Sequence, residues 1–190
     1  MSEIKGFESA LRDLSTLLDK HGVPYMVIGG LANAIWGNPR ATLDIDVTIW
    51  VPDKQIEEML QVFEQEYICM VDSPHDFVNK TRVLPVKDKE NLRIDVIFGA
   101  VPFEKDAIDA AVEVLIGSTT VCFCNAENLI LLKIVSDRRK DIEDIKGILK
   151  FQREKLDFNY LNTRISELAE LLEMPEILEQ WTDWKDEIPF

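Results

Sequence analysis

The sequence predicts an α+β fold in which a mixed α/β unit is followed by a helical part. Up to about residue 125, short apolar strands alternate with amphipathic helices. Beyond that point, helical patterns follow one another with no strand between them. We therefore expect an α/β domain at residues 1–125 and a helical C-terminal subdomain packed on it at residues 126–190.

The composition narrows the class of protein. The chain has 190 residues, of which 46% are hydrophobic and 29% charged, as is typical of a globular protein. The sequence shows no membrane-spanning stretch and no signal-peptide core, so we expect a cytoplasmic protein with no membrane partner. Three cysteines without CxxC spacing and two sequence-distant histidines argue against a disulfide framework and against a zinc site.

The charge balance argues against nucleic acid as a bulk partner. The formal net charge is −14, from 21 basic and 35 acidic residues. Such a surface repels a polyanion unless a basic patch is concentrated somewhere. The densest basic run, DRRK at 137–140, is small.

The N-terminal elements are predicted from apolar spacing. Apolar residues at three- and four-residue steps predict a helix over 4–20, beginning with Ile4. PYMVIGG (24–30) is a short buried strand, after which a helix opens at Gly30. GNPR is a turn, and TLDIDVTIWV (42–51) is the next strand.

The middle of the chain continues the alternation. A helix capped by Asp53 runs to about residue 66, and YICMV (67–71) is a strand followed by a polar loop. TRVLPV and LRIDVIFG flank the turn KDKEN, which is typical of a β-hairpin. FEKDAIDAAVEV reads as a helix and STTVCFCN as a strand.

The C-terminal part reads as helices. ENLILLKIVS, DIEDIKGILKFQ and YLNTRISELAELLEM each show a helical pattern. A tail with Trp181, Trp184 and Ile188 follows. At helical spacing these side chains cover a core, or they form an adhesive surface for a partner.

Two aspartates stand in an apolar strand, where Asp is a poor strand former. The alternation in TLDIDVTIWV places Asp44, Asp46 and Thr48 on one face of the strand. Carboxylates about 7 Å apart along a strand can share hard divalent cations. A solvated polar sheet face explains the same pattern without any function.

Asp95 in LRIDVIFG is a third lone aspartate inside an apolar strand, and the hairpin can bring it beside the first strand. Three neighbouring carboxylates repel one another in a partly dry site, and a pair of Mg²⁺ ions removes that conflict. The alternative is three solvated aspartates on one sheet face.

Gly29 and Gly30 stand where a strand passes directly into a helix. Unpaired N–H groups at the helix start, with no Cβ to block an approach, favour a phosphate chain. A plain tight turn or close packing explains an isolated Gly-Gly equally well. Beside the Asp pair, the combination points to a nucleoside triphosphate.

These motifs resemble those of the nucleotidyltransferase superfamily that includes DNA polymerase β. The resemblance rests on the pair Gly29-Gly30, which is followed after thirteen residues by the motif DID (44–46) and later in the chain by RID (93–95). RATLDID and KIVSDRRKDIEDI are most similar to the small bacterial AbiEii-type proteins, whose members include toxins of toxin–antitoxin pairs. The implied fold is a nucleotidyltransferase-like mixed sheet flanked by helices.

The resemblance implies a role for each matching residue. Gly29 and Gly30 would bind the triphosphate, and Asp44 and Asp46 would each ligate both of two Mg²⁺ ions, which Mn²⁺ can replace. Asp95 would ligate the ion nearer the attacking hydroxyl and act as its base.

The same resemblance implies basic residues that contact the nucleotide. Lys133 would reach the phosphates, while Arg40, Arg139 and Asp141 also match the subfamily's motifs. The alternative for Lys133 and Arg139 is a solvated helix flank. For Asp141 and Asp144 we expect ordinary helix-surface charge.

The implied activity is transfer of a nucleoside monophosphate from a triphosphate to a hydroxyl of a protein, a small molecule or an RNA end. The acidic charge favours a protein or a small molecule, and an antitoxin protein is a further implied partner. The first alternative is an inactive nucleotide-binding or regulatory module of the same fold. The others are a sugar-transferring enzyme and an interaction protein that uses the tryptophan tail.

Overall fold

The structure is a computed structural model that describes residues 2–187, with side chains from residue 6 onward. The predicted contributions of the Ile4 and Ile188 side chains lie outside this range. Within it the chain forms two compact units, residues 2–31 with 41–124 and residues 32–40 with 125–187. The predicted domains at 1–125 and 126–190 stay a prediction.

The first unit contains a seven-stranded sheet, counted over the described residues. Its elements in chain order are α1 (Ser2–Lys20), β1 (Tyr25–Ile28), the start of α2 (Gly29–Trp36), β2 (Asp44–Ile49), a 3₁₀ turn (Asp53–Gln55), α3 (Ile56–Glu66), β3 (Ile68–Cys69), α4 (Pro74–Thr81), β4 (Val83–Lys87), β5 (Arg93–Phe98), α5 (Pro102–Asp109), β6 (Val112–Ile116) and β7 (Thr119–Phe123). The predicted α+β class is confirmed.

The strands are mixed in direction and lie in the order β3-β4-β5-β2-β1-β7-β6. β2 pairs in parallel with β5, and β1 in parallel with β7, while the other pairs are antiparallel. The predicted hairpin is the β4–β5 pair, in which Val86 lies opposite Ile94. Because β5 lies directly beside β2, the aspartates of the two strands become neighbours.

The core of the first unit follows the apolar patterns of the sequence. In α1, Leu11, Leu14 and Leu18 are buried, which is the stripe that three- and four-residue spacing predicts. In β2, Ile45, Val47 and Ile49 are fully buried, and β5 contributes buried side chains in the same alternating way. Each such side chain contributes about 1.5–3 kcal/mol when it leaves water.

Several elements differ from the sequence-based expectation. Asp53 does not cap α3, because it begins the 3₁₀ turn and α3 begins at Ile56 without a side-chain cap, and the predicted strand at 67–71 is limited to β3. The polar loop after β3 contains helix α4, which begins after Ser73 with Pro74 in its first turn and buries only Val78. One buried position is too little to produce a visible helical period. The segment VEV is not helical but belongs to β6, because α5 ends at Asp109 and Val114 pairs with Val121 of β7.

The second unit is helical, as predicted for the C-terminal part. It contains the end of α2 from Ala32 onward and the helices α6 (Ala126–Ile134), α7 (Arg139–Gln152), α8 (Phe158–Leu171) and α9 (Glu176–Glu187). Trp181 and Trp184 are buried, and the Trp181 indole Nε1 donates a hydrogen bond to Asn162 Oδ1 at 2.8 Å. These rings therefore cover the core of this unit, and the adhesive-surface alternative for them is wrong.

Candidate functional site

Three carboxylates meet on one face of the sheet in the first unit. In the parallel β2–β5 pair Asp46 lies opposite Asp95, and Asp44 lies opposite Arg93. Asp44, Asp46 and Asp95 each offer a carboxylate oxygen within 4.8 Å of the other two. Within the described part of the chain, this is the only such group of three or more His, Cys, Asp or Glu side chains.

The strand alternation explains why these carboxylates share a face. Asp44 and Asp46 are half-buried, whereas Ile45 and Val47 between and after them are fully buried on the opposite face. Asp95 is likewise half-buried between two fully buried neighbours of β5. The apolar face anchors both strands in the core and so fixes the direction of the acidic side chains.

Gly29 is required by the geometry at the start of α2. Its φ is +65°, a left-handed conformation that side chains rarely adopt. A Cβ at Gly29 would lie 2.0 Å from Oδ2 of Asp46, so the carboxylate occupies the space that a side chain would need. Gly30, the next residue, is buried. Gly29 is thus packed directly against the Asp46 carboxylate.

Thr42 holds the first carboxylate in place. Its hydroxyl donates a hydrogen bond to Asp44 Oδ1 at 2.9 Å. This residue lies just before β2, so the chain orients the aspartate from the adjoining segment.

Arg93 is a charged neighbour of the site that the sequence analysis did not identify. Its Nε lies 3.0 Å from Asp95 Oδ1, and its Nη2 lies 2.9 Å from Asp95 Oδ2. The hydrogen bond and charge of Asp95, with smaller contributions from Asp44 and Asp46, raise the pKa of Arg93. The sequence contains a signal for this pairing, because Arg93 and Asp95 are two residues apart on one strand and therefore share a face.

The second unit contains two of the predicted nucleotide-binding residues in a buried ion-pair network. Lys133 Nζ donates to Asp141 Oδ1 at 2.9 Å and to Asp144 Oδ2 at 2.7 Å. Arg40 forms a two-pronged contact with Asp144, from Nε to Oδ1 at 3.0 Å and from Nη2 to Oδ2 at 3.1 Å. We define the buried network as the buried Lys133, Asp141 and Asp144 together with their partners Arg40, Ser136 and Arg138, of which Arg40 and Ser136 are half-buried and Arg138 is 63% exposed.

The expectation of surface charge at Asp141 and Asp144 is wrong. Both are buried, at 1% and 2% relative exposure. They fall on the same stripe of α7 as the buried Ile145 and Ile148, and this spacing is the signal that could have revealed them.

Asp141 has three donors within the buried network. Ser136 Oγ donates to its Oδ2 at 2.9 Å, and Arg138 Nε to the same oxygen at 2.6 Å. Burial alone raises the pKa of Asp141, but the hydrogen bond and charge of Lys133, with these two donors, outweigh burial and lower it.

Arg139 differs from the other predicted basic residues. Its side chain is 93% exposed and pairs with Glu143 one helical turn along α7, which matches the alternative of a solvated helix flank. Its predicted contact with a nucleotide stays a prediction.

The carboxylate group of the first unit fits a hard divalent cation. All its ligand atoms are oxygens, and their mutual spacing lets one cation contact all three carboxylates. Oxygen-only donors favour Mg²⁺ or Mn²⁺ over zinc, which prefers nitrogen and sulfur. The neighbouring helix start offers backbone N–H groups to an anion.

A family comparison identifies the chain. The profile described as "Nucleotidyltransferase of unknown function (DUF6036)" matches residues 5–188. The chain belongs to this family. It is thus classed as a transferase of nucleotidyl groups, and the superfamily prediction is confirmed at this level. The finer AbiEii-type resemblance stays a prediction. No curated protein matches the chain in a sequence search.

Solved structures share the fold at low sequence identity. An antigenic nucleotidyltransferase-like protein from Paracoccidioides brasiliensis is 18% identical, with a TM-score of 0.55 over 91% of this chain and 92% of that one. ANT(2")-Ia, solved in complex with adenylyl-2"-tobramycin, is 16% identical, with a TM-score of 0.57 over 90% and 99%. The lincosamide antibiotic adenylyltransferase LnuA, lincomycin-bound, is 17% identical, with a TM-score of 0.50 over 73% and 93%.

These similarities bear on architecture. The predicted nucleotidyltransferase-like fold is confirmed. In the part of the chain that the structure describes, none of the helices has the length and hydropathy that a bilayer crossing requires.

Proposed function

We propose that this chain transfers a nucleoside monophosphate from a nucleoside triphosphate to a hydroxyl group of an acceptor. The acceptor oxygen bonds to the α-phosphorus as the bond to the α,β-bridging oxygen breaks, and pyrophosphate leaves. The observation that carries the proposal is the convergence of three carboxylates from two strands against Gly29 at a helix start. A solvated polar sheet face would not require a glycine at that position. A close fit between the Asp46 carboxylate and Gly29 is expected where a metal-bound phosphate must approach the backbone.

In this proposal Asp44, Asp46 and Asp95 hold two Mg²⁺ ions, for which Mn²⁺ can substitute. The bound ions would neutralise the triphosphate and make the acceptor hydroxyl more acidic. Asp44 and Asp46 would be ligands of both ions. Asp95 would be a ligand on the acceptor side and would accept the hydroxyl proton; its side chain is 16% exposed.

The backbone at Gly29 and Gly30 binds the triphosphate. The first N–H groups of α2 have no partner within the helix, and the positive end of the helix dipole favours a phosphate. The catalytic task of the protein is then positioning and charge compensation, which suits phosphoryl-transfer chemistry.

Arg40, Lys133 and Arg139 keep their predicted nucleotide-binding role within the proposal, on the strength of the motif resemblance. For Lys133 this role requires that a phosphate replace a carboxylate partner in the buried network. For Arg139 it requires only the loss of an exposed pair with Glu143, which is weak.

Among the acceptors, a protein or a small molecule is favoured over an RNA end. The net charge of −14 supports this choice, because it opposes the approach of a polyanion. Two structural neighbours were solved with bound lincomycin or adenylyl-2"-tobramycin, so hydroxylated small molecules belong among the acceptors to test. The AbiEii-type resemblance adds a role in a toxin–antitoxin pair, with an antitoxin protein as partner and the cytoplasm as location.

The test is label transfer from α-phosphate-labelled triphosphates, with Mg²⁺ and panels of protein and small-molecule acceptors, including the chain itself. We expect Asp44→Asn to reduce transfer about a thousandfold, equivalent to about 4 kcal/mol of transition-state stabilisation. The matched control is Asp72→Asn, which removes one exposed carboxylate of the same unit.

Equal transfer by the parent and Asp44→Asn would contradict the catalytic assignment. Nucleotide binding without product, in the parent and across all acceptors, would favour the alternative of an inactive binding module.

A further inference from the structure

Arg93 engages both oxygens of Asp95. Its Nε lies 3.0 Å from Oδ1 and 3.2 Å from Oδ2, and its Nη2 lies 2.9 Å from Oδ2. The guanidinium side chain is 48% exposed, whereas that of Asp95 is 16% exposed. Two-pronged contacts of this type are the strongest that an arginine makes with a carboxylate.

The sheet register directs Arg93 toward the carboxylates. Arg93 and Asp95 are two residues apart on β5 and therefore share a face. In the parallel pair, Arg93 lies opposite Asp44, which carries the first carboxylate of the group. One guanidinium thus stands beside three carboxylates and compensates only part of their charge.

A divalent cation and Arg93 compete for the carboxylate oxygens of Asp95. A divalent ion needs at least one of its oxygens as a ligand, and each oxygen already accepts a hydrogen bond from Arg93. A positive charge beside the site also repels an arriving cation. Both effects weaken metal binding relative to a site without the arginine.

We propose that Arg93 is a displaceable counter-ion of Asp95. Arg93 stabilises the carboxylate group when no metal is bound, and it releases the Asp95 carboxylate when a divalent cation binds. Arg93 is therefore a positioning residue that sets the cation affinity. The inference rests on the proposed function, because it requires a cation at the three carboxylates.

The inference predicts an unusual direction of effect. Removing a basic residue next to a metal site is expected to strengthen metal binding, because the competitor for Asp95 is lost. We expect Arg93→Gln to bind Mn²⁺ about tenfold more tightly than the parent, the change associated with one charge-assisted contact. Mn²⁺ is the probe, measured without nucleotide by electron paramagnetic resonance and by calorimetry.

Arg82→Gln is the matched control. It removes the same charge from another arginine–aspartate pair of the first unit, in which Arg82 Nη2 lies 2.8 Å from Asp53 Oδ1. Arg82 lies at the far end of the β4–β5 pair from Arg93, because its neighbour Val83 pairs with Ile97, whereas Arg93 pairs with Lys87. Its Mn²⁺ affinity is expected to equal that of the parent, so a general effect of charge on the whole protein would be detected.

A melting-temperature measurement shows whether the Arg93→Gln variant is folded. In metal-free buffer, the melting temperature of Arg93→Gln is expected to fall below that of the parent, because the charge-assisted contact with Asp95 is lost from a group of three neighbouring carboxylates. Saturating Mn²⁺ is expected to raise the melting temperature of the variant more than that of the parent. Arg93→Ala is a second variant for which both results are expected.

The outcomes separate the two proposals. If the parent binds Mn²⁺ and Arg93→Gln binds it equally or more weakly, the counter-ion role is wrong and the proposed metal site stands. If the parent and both Arg93 variants bind no Mn²⁺, the proposed metal site fails, and the counter-ion role fails with it.

Discussion

Two groups of aspartates, one in each unit, differ in how their charge is compensated. In the first unit, Asp44, Asp46 and Asp95 are half-buried and have Arg93 as a cationic partner. In the second unit, the buried network surrounds two aspartates with three basic side chains and a hydroxyl. The first group has an excess of negative charge, whereas the second does not.

The difference indicates different tasks. Buried ions must be paired and hydrogen-bonded, since an unpaired buried charge costs several kcal/mol. The buried network meets that requirement with the chain's own residues, which is expected of a structural element. The carboxylates of the first unit are partly exposed and bring three negative charges together on one sheet face, which is expected of a site that an external cation completes.

Lys133→Met tests the structural side of this comparison and has the largest expected effect on stability. The substitution removes the cation shared by Asp141 and Asp144 and leaves buried carboxylates undercompensated. We expect the free energy of unfolding to fall by about 3–5 kcal/mol, measured by urea denaturation.

Arg139→Ala is the control for Lys133→Met, because it removes a basic residue of the same unit from an exposed pair. Its unfolding free energy is expected to match that of the parent. A Lys133→Met variant that is equally stable would contradict the structural role of the buried network, and the phosphate-binding role of Lys133 would gain support.

Asp141→Asn has a smaller and pH-dependent effect. We expect a loss of about 2 kcal/mol at pH 7, because the charged acceptor of the buried network becomes neutral. The lowered pKa of Asp141 means that the unfolded chain takes up the proton first as the pH falls. The stability from its charge is therefore complete above its ordinary pKa of about 3.9 and is lost as the pH falls below that value.

The difference in unfolding free energy between the parent and Asp141→Asn should then shrink as the pH is lowered from 6 to 3. Denaturant titrations at several pH values measure it. A difference that stays constant over this range would show that the charge of Asp141 does not stabilise the fold.

Much of the carboxylate group in the first unit was predictable from the sequence, because strand alternation fixes the face on which each side chain lies. The period of two in TLDIDVTIWV places both aspartates on one face, and the hairpin places Asp95 on a strand that can join β2. The pairing of β5 with β2 is confirmed, with Asp46 opposite Asp95. The sequence could not supply the distance between the Gly29 backbone and Asp46, which depends on the strand register.

The buried network was harder to predict, because Asp and Lys are mostly surface residues, whereas Lys133, Asp141 and Asp144 are buried. Asp141 and Asp144 read as surface charges, although they share a helical stripe with apolar residues of α7. Their burial depends on Lys133 of the preceding helix and on Arg40, which lies 104 residues before Asp144. The pairing of Arg40 with Asp144 is a tertiary contact that no local pattern contains.

The most direct test of the central claim is the effect of Mg²⁺ on the thermal unfolding of the parent and of Asp46→Asn. A ligand that binds only the folded state stabilises it by about 2.7 kcal/mol at a hundredfold excess over its dissociation constant. We predict that the melting temperature of the parent rises with Mg²⁺ concentration, while that of Asp46→Asn does not change. An equal rise in both proteins would contradict a metal site at the three carboxylates.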